Sequence, residues 1–216
     1  MPPDLKSLKY KRRYASPRDN ITTDFLVPAL KSSTQYDRAT GFFTSSSLLN
    51  LSLGLSDLVK RGGKMRVITS PRLSSEDIDA IKKGYDLRDA IEKNMTQELE
   101  NLDIPEDILS DRLGLLAYMI KNGKLDIKIA VMKDVDDYPN SIFHPKFGIM
   151  YDDMRNSIAF SGSFNETGGG LTYNWEELLV FGPSEEVRVN DLREDFENLW
   201  NDTDSMVNVY PMPEAI

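Results

Sequence analysis

The chain has 216 residues, of which 40% are hydrophobic and 28% charged, and its formal net charge is −9. That balance fits a globular protein with enough chain to bury a core, and excludes a disordered or fibrous one. The lack of cysteine excludes a disulfide framework, a thiol nucleophile and Cys-ligated metal, and the single histidine, His144, excludes a two-His metal site within one chain.

Residues 1–18 carry Lys6, Lys9, Lys11, Arg12, Arg13 and Arg18 against Asp4 alone, so 1–19 reads as a basic, solvated N-terminal arm. There is no apolar signal core here, and no stretch approaches the roughly 20 apolar residues of a membrane span, so a cytoplasmic protein with no membrane partner is expected. The run 36–43 reads as a short strand ending near Gly41. Thr44 and Ser45–Ser47 can cap a helix carrying Leu48, Leu51, Leu55, Leu58 and Val59, stopped by Gly62-Gly63. Lys64–Thr69 is the next strand, closed by Ser70-Pro71, so a βαβ unit with a parallel pair is expected. Residues 74–122 read as mostly helical and acidic, interrupted at Pro105, and are expected to form a helical insertion or lid.

Strands follow at Leu125–Met132, Ser141–Tyr151, Ser157–Ser161 and Trp175–Phe181. Residues 184–200 have the pattern of a closing amphipathic helix, and 203–216 read as a polar, Pro-rich tail or linker. The fold class expected is α/β, a mixed β-sheet flanked by helices on both faces, with a helical insertion.

The chemistry concentrates in Phe143-His144-Pro145-Lys146-Phe147. Strand alternation puts His144 and Lys146 on one face, with Phe143, Phe147 and Ile149 on the other. By the same rule Ser163 and Asn165 share a face in Gly162-Ser163-Phe164-Asn165, and Glu176 lies eleven residues further on. An imidazole can attack phosphorus or protonate a leaving oxygen. An ammonium, a hydroxyl and an amide can hold the equatorial oxygens, and a carboxylate can orient the imidazole. These residue types suit a phosphodiester, and none of them calls for a metal or other cofactor.

His144-Pro145-Lys146, then Gly162-Ser163-Phe164-Asn165, then Glu176, resembles the signature of the phospholipase D superfamily. The Ala39–Phe43 strand, the next helix, the Met65–Thr69 strand and the helix to Trp200 extend that resemblance over residues 20–202. They are similar to the nuclease-like domains found in restriction and phage-defence proteins and fused to superfamily II helicases. The resemblance implies a metal-independent phosphodiesterase, with DNA favoured over RNA as substrate. It implies that His144 is the nucleophile, that Lys146, Ser163 and Asn165 hold the phosphate, and that Glu176 hydrogen-bonds the histidine. The family uses two such motifs per site, so one motif per chain implies a homodimer with a shared active site. A helicase domain or subunit is a further candidate partner.

Several alternatives stay open. The family's aspartate position holds Tyr151, and Asp152 is one residue later; Glu177 competes with Glu176. Trp175, Tyr173, Phe42 and Phe43 can stack on bases, although core packing is the commoner fate of aromatics in strands. Gly168–Gly170 suits a flexible rim and lacks the Lys-Ser/Thr of a P-loop. Glu106-Asp107 followed by Asp126-x-Lys128 weakly mimics a magnesium-dependent nuclease, and a catalytically quiet nucleic-acid- or partner-binding module would share the fold.

Overall fold

The structure, a computed structural model, describes residues 4–94, 103–133, 141–164 and 175–212, the side chains of 90–94 apart. In chain order its elements are β1 (Arg13–Ser16), a wide helical turn Thr22–Leu26 running into α1 (Val27–Lys31), β2 (Gln35–Thr40), α2 (Ser45–Asn50), α3 (Ser52–Lys60) and β3 (Lys64–Thr69). There follow α4 (Ser75–Asn94), α5 (Arg112–Lys121), β4 (Leu125–Met132), β5 (Lys146–Tyr151), β6 (Ser157–Gly162), β7 (Glu176–Phe181), α6 (Glu186–Trp200) and β8 (Val207–Pro211).

The eight strands form one sheet in the order β1-β7-β6-β5-β2-β3-β4-β8. β2, β3 and β4 are parallel neighbours and the other pairings are antiparallel, so the sheet is mixed. The anticipated βαβ unit is therefore present as β2, α2–α3 and β3. Its helical part is broken at Leu51, where one continuous apolar periodicity had suggested a single helix.

Each face of the sheet carries its own apolar layer. One joins Tyr36, Val67, Ile127, Met150, Phe160 and Leu178 to α1–α5. The other joins Ala39, Ile68, Ala130, Phe143, Phe147 and Ile149 to Val189, Phe196 and Leu199 of α6. This is the α/β sheet with helices on both faces that the sequence suggests. The acidic stretch after β3 supplies α4 and α5, the crossover between parallel β3 and β4. Its Ile81, Leu115, Leu116, Met119 and Ile120 are fully buried, so it forms a layer of the fold rather than a lid. Asp77, also buried, accepts the Ser45 N–H at 3.3 Å and lies 3.8 Å from Arg112, joining the starts of α2, α4 and α5.

On the opposite face Asp37, fully buried in β2, takes Nε and an Nη of Arg66 at 2.7 Å each, and Arg66 also reaches Glu197 of α6 at 2.6 Å. Burial pushes the Asp37 carboxyl up, against the pull of Arg66. The Arg66 guanidinium lies 4.9 and 5.1 Å from the Phe196 and Trp200 rings, so one side chain fastens α6 to the sheet by charge and by stacking.

Two terminal expectations need correction. The basic arm is not wholly solvated, because Arg13–Ser16 pair with β7. The tail or linker from 203 supplies β8, whose Val207 and Val209 pack on the α6 face while its backbone pairs with β4. Charge density hides the first strand, and proline content hides the second.

Candidate active site

The site lies at one end of the sheet, where β2 and β3 finish and β5 begins. His144 is just outside the ladder, since β5 starts at Lys146 rather than at 141 as the sequence suggests. Pro145 has no N–H to give a partner strand, but its carbonyl accepts the Gly41 N–H at 2.9 Å, so the extended path continues past the strand end. The partition of faces holds: Phe143, Phe147 and Ile149 are buried toward α6. His144 and Lys146 meet, the Lys146 ammonium lying 3.2 Å from Nδ1 and 3.3 Å from Nε2.

Gly41 fixes the imidazole. A Cβ there would stand 2.1 Å from His144 Cδ2 and 2.9 Å from its Cα, so only glycine lets the end of β2 pass this close. The Gly41 carbonyl accepts the buried Ser70 hydroxyl at 2.6 Å, tying the end of β3 to the same point. Phe42, half-buried, meets the imidazole edge to face with 5.1 Å between centroids. Phe43 goes into the core, the commoner fate of such residues.

Partial burial, and then the charges of Lys146 and Arg72, hold His144 below the ordinary imidazole value, which leaves a neutral nitrogen with a free lone pair at pH 7. Burial lowers Lys146 as well, Glu176 opposes that, and Arg38 adds to it. The Glu176 carboxylate thus acts on Lys146, although among the described residues no hydrogen bond joins Glu176 to His144. Glu177 is occupied otherwise, in an ion pair with Arg13. Strand alternation separates the two, with Glu176 on the face of buried Leu178 and Val180.

Ser163 is exposed in the bend after β6. Its Oγ accepts the Glu177 N–H at 3.0 Å, and its own N–H donates to the Glu177 carbonyl at 2.9 Å. Gly162 makes this possible, because a Cβ there would lie 2.0 Å from the Glu177 carbonyl oxygen. Asn165, Gly168–Gly170 and Tyr173 lie outside the described residues. Asp152 is 5% exposed and is spent on backbone. It accepts from the N–H groups of Leu5, Met154 and Asn156 and from the Asn156 amide, at 2.8–2.9 Å.

Two cations near the site carried no weight in the sequence reading. Arg38 is 1% exposed, with its guanidinium 5.4 Å from the Phe160 ring and one Nη 3.4 Å from the Phe164 carbonyl. Its signal was a charged residue in the middle of a strand otherwise destined for the core. Arg72 follows Ser70-Pro71 and stands beside Phe42; nothing in its sequence context marks it. The elements of the magnesium alternative are engaged elsewhere: Asp126 with Arg88 at 2.6 Å and Lys128 with the Trp200 carbonyl at 2.7 Å. Among the described residues no three acidic or imidazole side chains gather to hold a metal, and no helix is long and apolar enough to cross a membrane.

The profile of a family described as cardiolipin synthase, PLD-like domain, matches residues 26–200, a span that holds β2 to α6 and the whole site. The chain belongs to the phospholipase D-like family. This phospholipase D-like chain is similar in fold to Nuc, a phospholipase D family member from Salmonella typhimurium. The two are 16% identical over 92% of this chain and 96% of that one, with a TM-score of 0.52. It is similar to NucT from Helicobacter pylori, also 16% identical, over 91% of this chain and 96% of that one, with a TM-score of 0.52. No curated protein matches it. The matched span contains His144, Lys146, Ser163, Asn165 and Glu176.

Proposed function

We propose that the protein is a metal-independent phosphodiesterase acting on DNA, an endonuclease of a restriction, defence or helicase-associated system. In this reading His144 attacks phosphorus, a P–N bond forming as the P–O bond to the leaving oxygen breaks. Lys146, Ser163 and Asn165 hold the non-bridging oxygens, and Glu176 balances the charge around Lys146 and His144. A second imidazole protonates the leaving oxygen and later activates the water that resolves the phosphohistidine. The chain has one histidine, so that second imidazole is His144 of another copy, and the site is shared across a two-fold axis.

The observation that carries this reading is the contact of Lys146 with an imidazole held neutral beside it. The Lys146 ammonium, with Glu176 acting on it and His144 beside it, is placed to gather an anion to the nucleophile.

The test is cleavage of a plasmid and of labelled oligonucleotides in EDTA. Cleavage that persists in EDTA and is lost in His144→Ala is expected, with a 32P-labelled protein intermediate trapped by acid quench. Cleavage only with added Mg²⁺, or turnover of phosphatidyl substrates in place of DNA, overturns it. Binding without cleavage under any of these conditions favours the quiet module. Light scattering at assay concentration checks the dimer.

A further inference from the structure

We propose that Arg72 forms a second anion subsite beside His144, taking the phosphate next to the scissile one, so that the site selects a polynucleotide over an isolated phosphodiester. The inference rests on the phosphodiesterase reading above and names the substrate feature that reading leaves open.

Three observations place Arg72 for this. Its guanidinium lies 5.9 Å from the Phe42 ring, and Phe42 in turn lies 5.1 Å from the imidazole of His144, so both the guanidinium and the imidazole border the same ring. The group is tied down at its base: the Ser70 hydroxyl donates to Gly41, the residue pressed against His144, and accepts the Arg72 N–H at 3.5 Å. Arg72 is also exposed, and among the described residues no carboxylate pairs with it. Arg13, Arg61, Arg66, Arg88 and Arg112 each hold an acid, and Arg188, likewise exposed and 5.3 Å from the Phe181 ring, is not among the charges that act on His144.

A solvent-facing guanidinium in a chain of net charge −9, held over a ring and given no acid, is a docking point for an anion. Its neighbours decide which anion. Lys146 already touches the imidazole and serves the phosphate under attack. Arg72 is held against the Phe42 ring instead, which itself neighbours the imidazole, so it is offered to a further phosphate of the same strand. A ligand with a single phosphate fills the Lys146 position and leaves Arg72 empty. A polynucleotide fills both.

The experiment compares wild type, Arg72→Ala and Arg72→Lys on two substrates: an oligonucleotide, and bis(p-nitrophenyl) phosphate, which has one phosphate. A parallel measurement takes the salt dependence of oligonucleotide binding in a His144→Ala background, where no turnover interferes. Arg72→Ala is expected to lose roughly tenfold more kcat/KM on the oligonucleotide than on the small ester, mainly through KM. The slope of log K against log salt is expected to fall by about 1, and Arg72→Lys to recover most of both effects. Equal losses on the two substrates, or an unchanged salt slope, overturn the second subsite and leave the phosphodiesterase standing. A wild type that neither binds nor cleaves the oligonucleotide overturns both.

Discussion

Replacing Gly41 with alanine tests the site through its tightest contact. Gly41 does not have a positive φ, so alanine meets no backbone penalty there, and the whole effect comes from one methyl group. That methyl would lie 2.1 Å from His144 Cδ2, whereas carbon atoms in contact sit about 3.5–4.0 Å apart, so a gap of roughly 1.5 Å must be found. The backbone of Gly41 cannot supply it easily, since its N–H is bonded to the Pro145 carbonyl and its carbonyl to the Ser70 hydroxyl. The imidazole moves, and because the methyl would also stand 2.9 Å from the His144 Cα, the His144 backbone shifts with it. A misplacement of about 1 Å costs on the order of 10²-fold in rate, so kcat on an oligonucleotide should fall about 10²- to 10³-fold, or roughly 3–4 kcal/mol in the barrier. The overpacking itself costs about 1–3 kcal/mol, and Tm should drop by roughly 3–10 °C without loss of the fold. Because His144 is the chain's one histidine, its imidazole gives a single unambiguous NMR signal, and that signal should shift. Turnover within about threefold of wild type, with the imidazole signal in place, would refute the reasoning.

Three further outcomes follow from the same geometry. The His144 imidazole should titrate below about 6.5, because partial burial and then Lys146 and Arg72 disfavour its cation. One His144 must be neutral to attack and the other protonated to release the leaving oxygen, so activity peaks near that midpoint, falling at lower pH as the nucleophile charges and at higher pH as the acid is lost. Lys146→Met and Arg72→Ala should each raise the NMR midpoint, and a wild-type midpoint above 6.5 contradicts the account. Glu176→Gln should lower kcat by about 10²-fold while Glu177→Gln, whose carboxylate holds Arg13, costs less than about threefold; the reverse order would exchange their roles. Asp152→Ala removes the acceptor of four hydrogen bonds and should cost roughly 2–4 kcal/mol in urea unfolding, with kcat/KM within about threefold of wild type. A large kcat effect in a variant of undiminished stability would give Asp152 a part in the chemistry instead.

Legibility in the sequence followed the strength of local pattern. β3 and β4 lie where alternation and breakers put them, since Met65 and Val67, and Leu125, Ile127 and Ile129, go into the core while Lys64, Arg66, Asp126 and Lys128 between them stay less buried. The sequence offered His144, Lys146, Ser163, Asn165 and Glu176 as a list of candidates, and the structure brings His144 and Lys146 together. What held the list in place was not readable. Gly41 is over a hundred residues from His144 in the chain, and no local rule says that one presses on the other. Arg72 has neighbours that speak only of a turn, and its value comes from Phe42 and His144 arriving beside it. The tie between Asp152 and the Leu5 N–H joins residues 147 positions apart, so its structural role emerges only in three dimensions.

The two outer strands of the sheet have a consequence for how copies of the protein can meet. β1 has four residues, carries Arg13 and is followed by Pro17; β8 has five and ends at Pro211. Short, charged and proline-bounded borders make poor templates for one more strand, so end-to-end fusion of sheets into a continuous ribbon is disfavoured. A contact between copies of the kind proposed above, one His144 opposite another, would then not be built by pairing β1 or β8 with a further strand. In such an arrangement each copy keeps its own sheet, with β1 and β8 still at its edges. The contact can then loosen or part to let a long polymer in and out without breaking a backbone ladder.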